Sequence, residues 1–304
     1  MIGVDWGTSR LRAVRIAPGG AVRETRSADR GITRVAGGDF EAALREIAGD
    51  WLADGETRIL LAGMVGSRSG WRETPYLPCP AGAADLMGAM VPLPLDGAEA
   101  RIIPGLSARD QAGIAEIMRG EETQIIGALP DTETDALICL PGSHSKWATV
   151  EAGNIAGFAT FMTGEAFAAL GGHTILAQTI LAHTIGDGTA APDADAFRAG
   201  LERAMDPGGL LHHLFGVRTK AIIDGAGPAA DRAYLSGLLI GHEIAAAPIV
   251  PGAEILLVGE TALCRLYRTA IESRGGRATI HGETDRADAA ATGLGRLGAT
   301  LGWC

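Results

Sequence analysis

The sequence predicts an α/β fold built from two lobes. The chain opens with a β-turn-β unit, in which the alternating apolar residues Ile2, Val4 and Trp6 lead into a Gly7-Thr8-Ser9 turn. A second unit of the same kind follows about 135 residues later around Gly142-Ser143. Amphipathic helices alternate with strands after each unit, as in α/β proteins. We therefore expect one lobe over 1–130 and another over 131–304.

Composition excludes several classes of protein. The 304 residues, 47% of them hydrophobic, suffice for two cores, and the net charge of −10 argues against nucleic acid or an anionic membrane as partner. No signal peptide is apparent, and no apolar stretch reaches the ~20 residues needed to span a bilayer, so we expect a cytoplasmic location. The four cysteines have no C-x-x-C spacing, which indicates neither a disulfide framework nor a zinc site.

The first hairpin combines an acid with a turn suited to anions. Asp5 ends the first strand, and the backbone N–H groups and hydroxyls of Gly7, Thr8 and Ser9 follow it. A carboxylate beside a phosphate cradle is typical of a site for a magnesium nucleotide. The alternative is an ordinary hairpin in which Asp5 only helps to form the turn.

A long loop in the first lobe is a candidate substrate loop. A strand over 21–27, a helix over 39–52 and a buried strand over 57–63 lead to a Gly- and Pro-rich stretch at 63–80. Ligands dock at the carboxyl ends of strands in open α/β sheets, and this loop carries residues of a binding type. They include Gly66, Ser67, Arg68, Trp71 and Arg72. A plain surface connection is the alternative.

An acidic pair later in the first lobe is a candidate general base. A strand is predicted over 100–106, followed by a helix over 109–129 with a stripe formed by Ile114, Ile117 and Met118. Glu121 and Glu122 interrupt the apolar periodicity. A carboxylate at a helix start facing a cleft suits proton abstraction, whereas a solvated acidic turn is the alternative.

The second lobe repeats the opening and then becomes mostly helical. Strands at 136–140 and 146–150 flank the second turn, and the stretch 163–218 is predicted to be helical. A buried helix over 229–246 precedes a strand over 254–260 that turns at Gly259 into another helix, which suits a nucleotide base or ribose. A strand at 277–282 and a helix at 285–301 complete this lobe.

Several motifs together resemble a known family. The stretches DWGTSRLR, AGMVGSRSGW, YLPCPAG, RGEETQ, LPGSHSKW and TFMTGE are similar to those of the 2-dehydro-3-deoxygalactonokinase family, within the sugar kinase/Hsp70/actin superfamily. The resemblance extends over essentially the whole chain. It implies two ribonuclease-H-like lobes that enclose a nucleotide cleft, and phosphorylation by ATP of the C6 hydroxyl of 2-dehydro-3-deoxy-D-galactonate in galactonate catabolism. One departure from the superfamily is Leu140, where the second phosphate motif often begins with an acid.

The resemblance also implies roles for particular residues. Asp5 would hold Mg²⁺, Glu121 would be the base with Glu122 as alternate, and Gly259 and Glu260 would border the adenosine. The residues expected at the ATP phosphates are Gly7, Thr8, Ser9, Arg10, Gly142, Ser143, His144 and Lys146. The residues expected at the substrate are Gly66, Ser67, Arg68, Trp71, Arg72, Thr163 and Glu165. Arg68 is the favoured partner of the substrate carboxylate because an arginine fork binds a carboxylate with two hydrogen bonds.

Two alternative functions stay open. One is a kinase of another small sugar acid or sugar, because a fold does not fix a substrate. The other is a non-catalytic sugar-acid sensor, against which the lack of a basic helix-turn-helix argues. The expected ligands are a sugar acid, ATP and Mg²⁺, with no nucleic-acid or membrane partner. The oligomeric state is left open, with a homodimer as one option.

Overall fold

The computed structural model describes residues 1–131, 133–177 and 193–304. It begins with three antiparallel strands, β1 (Ile2–Trp6), β2 (Leu11–Ile16) and β3 (Val22–Ala28), as the sequence predicts. The alternating side chains of β1 are buried because this face of the hairpin covers the core beneath helix α1 (Phe40–Ala53).

A six-stranded sheet contains this hairpin together with β4 (Arg58–Gly63), β6 (Val91–Leu95) and β7 (Ala98–Ile102), in the order β3-β2-β1-β4-β7-β6. Strand β4 runs parallel to β1, and β7 runs parallel to β4. Strand β6 closes the edge antiparallel to β7. The register places Ala62 opposite Asp5, so β1 and β4 end side by side.

A small sheet replaces part of a predicted helix. Strands β5 (Tyr76–Pro78), β8 (Gly105–Arg109) and β9 (Ala115–Met118) form it in the order β5-β8-β9. Helix α2 (Ala83–Gly88) lies in the chain between β5 and β8. The prediction of one helix over 109–129 is therefore wrong in its first half, and only α3 (Glu121–Ala128) is helical. The reason is a tight turn, in which the Asp110 carboxylate accepts hydrogen bonds from the backbone of Ala112 and Ile114.

The strand predicted over 100–106 is also two strands. Pro104 separates β7 from β8, because proline has no N–H to donate to a ladder.

The second β-turn-β unit is present as predicted. Strands β10 (Ala136–Leu140), β11 (Ser145–Glu151) and β12 (Asn154–Phe161) belong to a five-stranded sheet with β13 (Glu254–Leu257) and β14 (Arg277–Ile280). The order is β12-β11-β10-β13-β14, and β13 and β14 are parallel.

Helices make up most of the remaining described chain. They are α4 (Thr163–His173), α5 (Ala194–Met205), α6 (Gly209–Asp224), α7 (Pro228–Ala246), α8 (Thr261–Ser273) and α9 (Ala289–Thr300). The predicted helical stretch 163–218 is thus confirmed over α4, α5 and the start of α6, while its residues 178–192 lie outside the described residues. Helices α5 and α7 touch through their backbones, because a Cβ on Gly237 would lie 2.0 Å from the carbonyl oxygen of Phe197.

The chain divides into two compact units. Unit 1 comprises Met1–Ile138, Ala148–Ala159 and His281–Cys304, and unit 2 comprises Cys139–Trp147 and Thr160–Ile280. The lobes expected from the sequence, 1–130 and 131–304, stay a prediction. Within the described ranges, no helix combines the length and the apolar composition needed to cross a membrane.

Within unit 1, helices α3 and α9 cross at two glycines. A Cβ on Gly127 would lie 1.9 Å from the carbonyl oxygen of Ala289, and one on Gly293 would lie 2.0 Å from that of Thr123. No side chain fits at either position, so the two backbones are in direct contact. Helix α9 also packs against β1 and β4. The crossing therefore fixes both helix starts near the end of β1.

Substituting Gly127→Ala is expected to lower the free energy of unfolding by about 3 kcal/mol or more, because the new methyl group would overlap a backbone carbonyl. Urea unfolding followed by circular dichroism measures this. The matched control is Gly49→Ala in α1, where the nearest atom is 3.8 Å away and alanine should stabilise the helix by about 0.5–1 kcal/mol. Equal effects of the two substitutions would show that the crossing does not need glycine.

Candidate active site

The first hairpin turn is braced from one side and open on the other. The N–H of Gly7 donates to the carbonyl of Arg10 at 2.9 Å, and the Thr33 hydroxyl donates to the carbonyl of Thr8 at 2.9 Å. Gly31 lies against the turn so closely that a Cβ there would be 2.1 Å from the Thr8 oxygen. The side chains of Thr8, Ser9 and Arg10 are exposed. The turn is thus held rigidly while its hydroxyls stay accessible to a ligand.

Asp5 carries a carboxylate with no direct partner. It pairs in register with Arg12 on β2, yet none of the described residues donates a hydrogen bond to its carboxylate or forms an ion pair with it. Burial raises the pKa of Asp5 to about 6, the Arg12 charge opposes the rise, and the charges of Asp288 and Glu121 add to it. A half-buried carboxylate without a hydrogen-bond donor among the described residues fits a hard divalent cation.

Asp288 is a site residue that the sequence analysis missed. Its Oδ1 accepts a hydrogen bond from the Ala291 N–H at 3.0 Å and so caps α9, while its Oδ2 forms an ion pair with Nη1 of Arg12. The sequence did contain an indication of its position: an aspartate directly before the run Ala289-Ala290-Ala291 is a typical helix N-cap. Across the part of the chain that the structure describes, no three His, Cys, Asp or Glu side chains form a metal-binding group.

The acidic pair lies at the start of α3, next to the end of β4. Gly120 has a φ of +106°, and a Cβ on it would lie 3.1 Å from Cα of Gly63. A Cβ on Gly63 would in turn lie 3.3 Å from Oδ1 of Asp5. Two glycines therefore let the backbone that carries Glu121 and Glu122 approach the Asp5 carboxylate.

The two glutamates have different surroundings. Glu121 is partly exposed, and its Oε2 accepts a hydrogen bond from the Arg119 N–H at 3.0 Å. Glu122 is 0% exposed, accepts from the Gly120 N–H at 2.7 Å and also contacts the Thr123 hydroxyl at 3.2 Å. Burial, followed by the charge of Glu121, raises the pKa of Glu122 to about 7.

The predicted substrate loop is folded back on itself. The N–H of Trp71 donates to the carbonyl of Val65 at 2.8 Å, and that of Thr74 donates to Gly66 at 2.9 Å. The Trp71 ring stacks on Phe40 with centroids 6.1 Å apart, so it completes the core of unit 1. Its assignment as a substrate contact stays a prediction.

The two arginines predicted to bind the substrate lie at the surface. The side chain of Arg68 is 91% exposed, with Nε 3.9 Å from Oε1 of Glu73. Arg72 donates to the carbonyl of Pro92 at 2.8 Å. A third arginine, Arg119, is buried against the loop, and the sequence analysis did not single it out.

In unit 2, the second glycine turn packs directly on the start of α4. The Glu165 N–H donates to the carbonyl of Ser143 at 3.0 Å, and a Cβ on Gly164 would lie 2.4 Å from the Gly142 oxygen. The Glu165 carboxylate forms an ion pair with His144. The structure thus brings Gly142, Ser143, His144, Thr163 and Glu165 together.

Lys146 is buried beside the same turn. Its side chain donates from Nζ to the carbonyl of His144 at 3.3 Å. Its ammonium is therefore held close to the backbone that would face a phosphate.

A buried polar network supports this turn from below. The hydroxyl of Tyr267 donates to Oε2 of Glu243 at 2.6 Å and lies 2.8 Å from Oγ of Ser145. The Trp147 indole donates to Oε1 of Glu243 at 2.8 Å, and Thr163 also bonds this carboxylate. Burial raises the pKa of Glu243 despite these donors. Only the folded chain reveals this network, because its members are separated by up to 122 residues in sequence.

A cavity of about 320 Å³ in unit 2 begins at the glycine turn. Gly142, Thr163, Phe167, Arg232, Ser236 and Tyr267 are among its lining residues, and the Arg232 guanidinium lies 4.7 Å from the centre of the Phe167 ring. The lining is mostly apolar with a few polar groups, as in small-molecule sites.

The predicted adenosine residues precede a helix that lines this cavity. Glu260 caps α8, with Oε1 3.0 Å from the Ala262 nitrogen and Oε2 2.8 Å from the Leu263 nitrogen. Gly259 has a φ of +151°, and a Cβ there would lie 3.4 Å from the oxygen of Pro141. Leu263 itself lines the cavity.

The stability of the protein is expected to fall as pH rises from about 4.5 to about 7, where the folded protein still holds the Glu122 proton that the unfolded chain has released. Glu122→Gln should remove that part of the slope, on the order of 3 kcal/mol in total. Chemical unfolding at several pH values measures it. Glu133→Gln, which changes an exposed glutamate, is the control and should keep the wild-type slope. An unchanged slope in Glu122→Gln would contradict the prediction.

Comparisons with known proteins show the family of the chain. A sequence model of the 2-keto-3-deoxy-galactonokinase family matches residues 5–297. A protein of Rhizobium meliloti (strain 1021) named as a probable 2-dehydro-3-deoxygalactonokinase is 39% identical over 277 residues, which cover 90% of this chain and 89% of that protein. The 2-dehydro-3-deoxygalactonokinase of Escherichia coli (strain K12) is 35% identical over 278 residues, 90% of each chain.

A solved structure shows the same fold. A crystal structure of a Sinorhizobium meliloti protein assigned to the 2-dehydro-3-deoxygalactonokinases superposes with a TM-score of 0.85 at 36% identity, covering 99% of this chain and 98% of that chain. The predicted α/β fold class is confirmed. The chain therefore belongs to the 2-keto-3-deoxy-galactonokinase family and is a kinase of that family.

Proposed function

We propose that the chain transfers the terminal phosphoryl group of ATP to the C6 hydroxyl of 2-dehydro-3-deoxy-D-galactonate, as a cytoplasmic step of galactonate catabolism. The observation that carries the proposal is the family match over residues 5–297, with named relatives at 35–39% identity. The clustered groups in each unit supply the parts that phosphoryl transfer needs, which are positioning and charge stabilisation.

Asp5 is the proposed Mg²⁺ ligand. Its carboxylate has no hydrogen-bond donor among the described residues, so a cation would satisfy it. Because no set of three protein ligands is present in the described ranges, the remaining positions would belong to phosphate oxygens and water, as Mg²⁺ prefers. When bound, Mg²⁺ would neutralise charge on the phosphates.

Each unit carries a proposed phosphate-binding turn. In unit 1 the exposed hydroxyls of Thr8 and Ser9 stand on a braced turn, with Gly7 and Arg10 at its ends. In unit 2 the turn of Gly142, Ser143 and His144 is supported by the Glu243 network, and Lys146 supplies a positive charge beside it. Backbone N–H groups and hydroxyls of such turns bind anions well.

The cavity of unit 2 is the proposed site of the adenosine. Its apolar lining suits a flat base, and Gly142 belongs both to this lining and to the proposed phosphate-binding turn of the unit. Gly259 and Glu260 would shape the border through α8. Thr163 and Glu165, at the start of α4, stay the proposed substrate contacts of unit 2.

Glu121 is the proposed general base. It is the partly exposed member of the acidic pair, whereas Glu122 is fully buried and holds the Gly120 backbone. A base must reach the proton of a bound substrate, and only an accessible carboxylate can do so. Asp5 would remain available for the cation.

The direct test is to incubate the purified protein with Mg-ATP and a panel of 2-keto-3-deoxy sugar acids and to follow ADP release. We expect turnover with 2-dehydro-3-deoxy-D-galactonate, with the product phosphorylated at C6 by ³¹P NMR. Parallel reactions with the corresponding neutral sugars measure selectivity. Faster turnover with another sugar or sugar acid would assign a different substrate, and ATP binding without any turnover would favour a sensor.

We expect Glu121→Gln to lower kcat by a factor on the order of 10² to 10⁴, with nearly normal KM for both substrates, because it removes the proton acceptor and keeps the shape. Glu122→Gln should lower kcat less, since its side chain does not reach the surface. Steady-state kinetics measures both variants, with thermal melting as the control for folding. The reverse ranking would move the base to Glu122, and full activity in both would exclude the pair.

A further inference from the structure

Arg119 is a buried arginine without an acidic partner. Its exposed fraction is 8%, and no carboxylate in the described ranges forms an ion pair with its guanidinium. Burying an unpaired charge is costly, so proteins rarely keep one without a function. The charge is therefore available to an anionic ligand.

The guanidinium is held in one orientation by the substrate loop. Nη1 donates to the Thr74 hydroxyl, Nη2 donates to the Thr74 carbonyl at 2.9 Å, and Nε lies 3.4 Å from the Tyr76 hydroxyl. The Tyr76 ring also lies against it, 4.2 Å from ring centre to Cζ. These contacts use three of the five N–H groups, which leaves one on each terminal nitrogen. Each of these two can donate a charge-assisted hydrogen bond to an anion.

Ser67 supplies a second, independent observation. Its side chain is 9% exposed, and its Oγ is buried without a hydrogen-bond partner among the described residues. The residue before it, Gly66, lies against Arg119, because a Cβ there would be 2.9 Å from Nη1. A buried hydroxyl is normally satisfied, so this one also indicates a missing polar ligand.

We propose that Arg119 and Ser67 form the subsite for the carboxylate of the sugar acid. This inference rests on the proposed function, since it assigns the acid end of that substrate. Arg119 is two residues before Glu121 and donates its backbone N–H to the Glu121 carboxylate at 3.0 Å. The same short segment would thus hold one end of the substrate and provide the base for the other. In this proposal Arg119 is the carboxylate partner in place of Arg68, whose side chain is 91% exposed.

The test compares the keto acid with its C1 carboxamide, which keeps the shape and loses the charge. For Arg119→Lys we expect kcat/KM for the acid to fall about 100-fold, a much smaller fall for the carboxamide, and an unchanged KM for ATP. The matched control is Arg109→Lys, which changes an exposed arginine at the end of β8 whose side chain bonds the Gly113 carbonyl. Equal losses for acid and carboxamide, or a selective loss in Arg68→Lys instead, would overturn the proposal.

Ser67→Ala keeps the proposal testable if Arg119→Lys does not fold. Removing an unsatisfied hydroxyl should leave the melting temperature unchanged or higher, whereas KM for the acid should rise about tenfold. An unchanged KM for the acid would overturn the role of Ser67. If the wild-type protein phosphorylates no sugar acid at all, the proposed function fails and the subsite with it. If the wild-type protein phosphorylates the acid but the variants lose activity equally toward the acid and the carboxamide, only the subsite is refuted.

Discussion

The backbone contact between α3 and α9 is the constraint on which the candidate site of unit 1 depends. At Gly127 and Gly293 the helices are closer than any side chain permits. This contact, with the approach of Gly120 to Gly63, places the starts of both helices beside the end of β1. Acidic residues that are far apart in sequence consequently act on one another, as the effect of Glu121 and Asp288 on the pKa of Asp5 shows.

The two units treat buried charge in different ways. In unit 2 the Glu243 carboxylate accepts hydrogen bonds from Tyr267, Trp147 and Thr163, so its burial is compensated and it can stabilise the turn above it. In unit 1 the Asp5 carboxylate and the Ser67 hydroxyl have no hydrogen-bond partner among the described residues. The Arg119 guanidinium has hydrogen bonds but no carboxylate partner there. Satisfied groups of this kind support structure, whereas unsatisfied ones indicate where a ligand belongs.

Glycine is used where the chain must approach another backbone. Gly31 under the first turn and Gly164 under the second both lie where a Cβ would overlap the turn itself. Each glycine turn is therefore fixed by direct backbone packing, without a side chain in between. Rigid turns lose little entropy when a ligand binds, which favours tight and well-oriented phosphate contacts.

The sequence by itself determined the hairpins, most helices, the two glycine turns, the acidic pair and the family. These follow from local patterns, because strand alternation, turn residues and motif spacing are properties of neighbouring residues. The local pattern gave a wrong prediction at 109–118, where Ile114 and Ile117 have the spacing of a helical stripe. In the structure they lie on the β8–β9 hairpin, with 64% and 51% of their surface accessible. Whether these two side chains are buried depends on which segments pack against them. The spacing of apolar residues along the chain carries no information about those segments.

Only the tertiary structure decided which residues of the motifs face a ligand. It buried Glu122 and left Glu121 accessible, placed Arg68 at the surface and Arg119 inside, and brought Asp288 to Arg12. Each of these outcomes depends on contacts between segments distant in sequence, such as the crossing of α3 with α9. Burial and hydrogen-bond partners, which set the charge and reach of a side chain, exist only once those segments have packed.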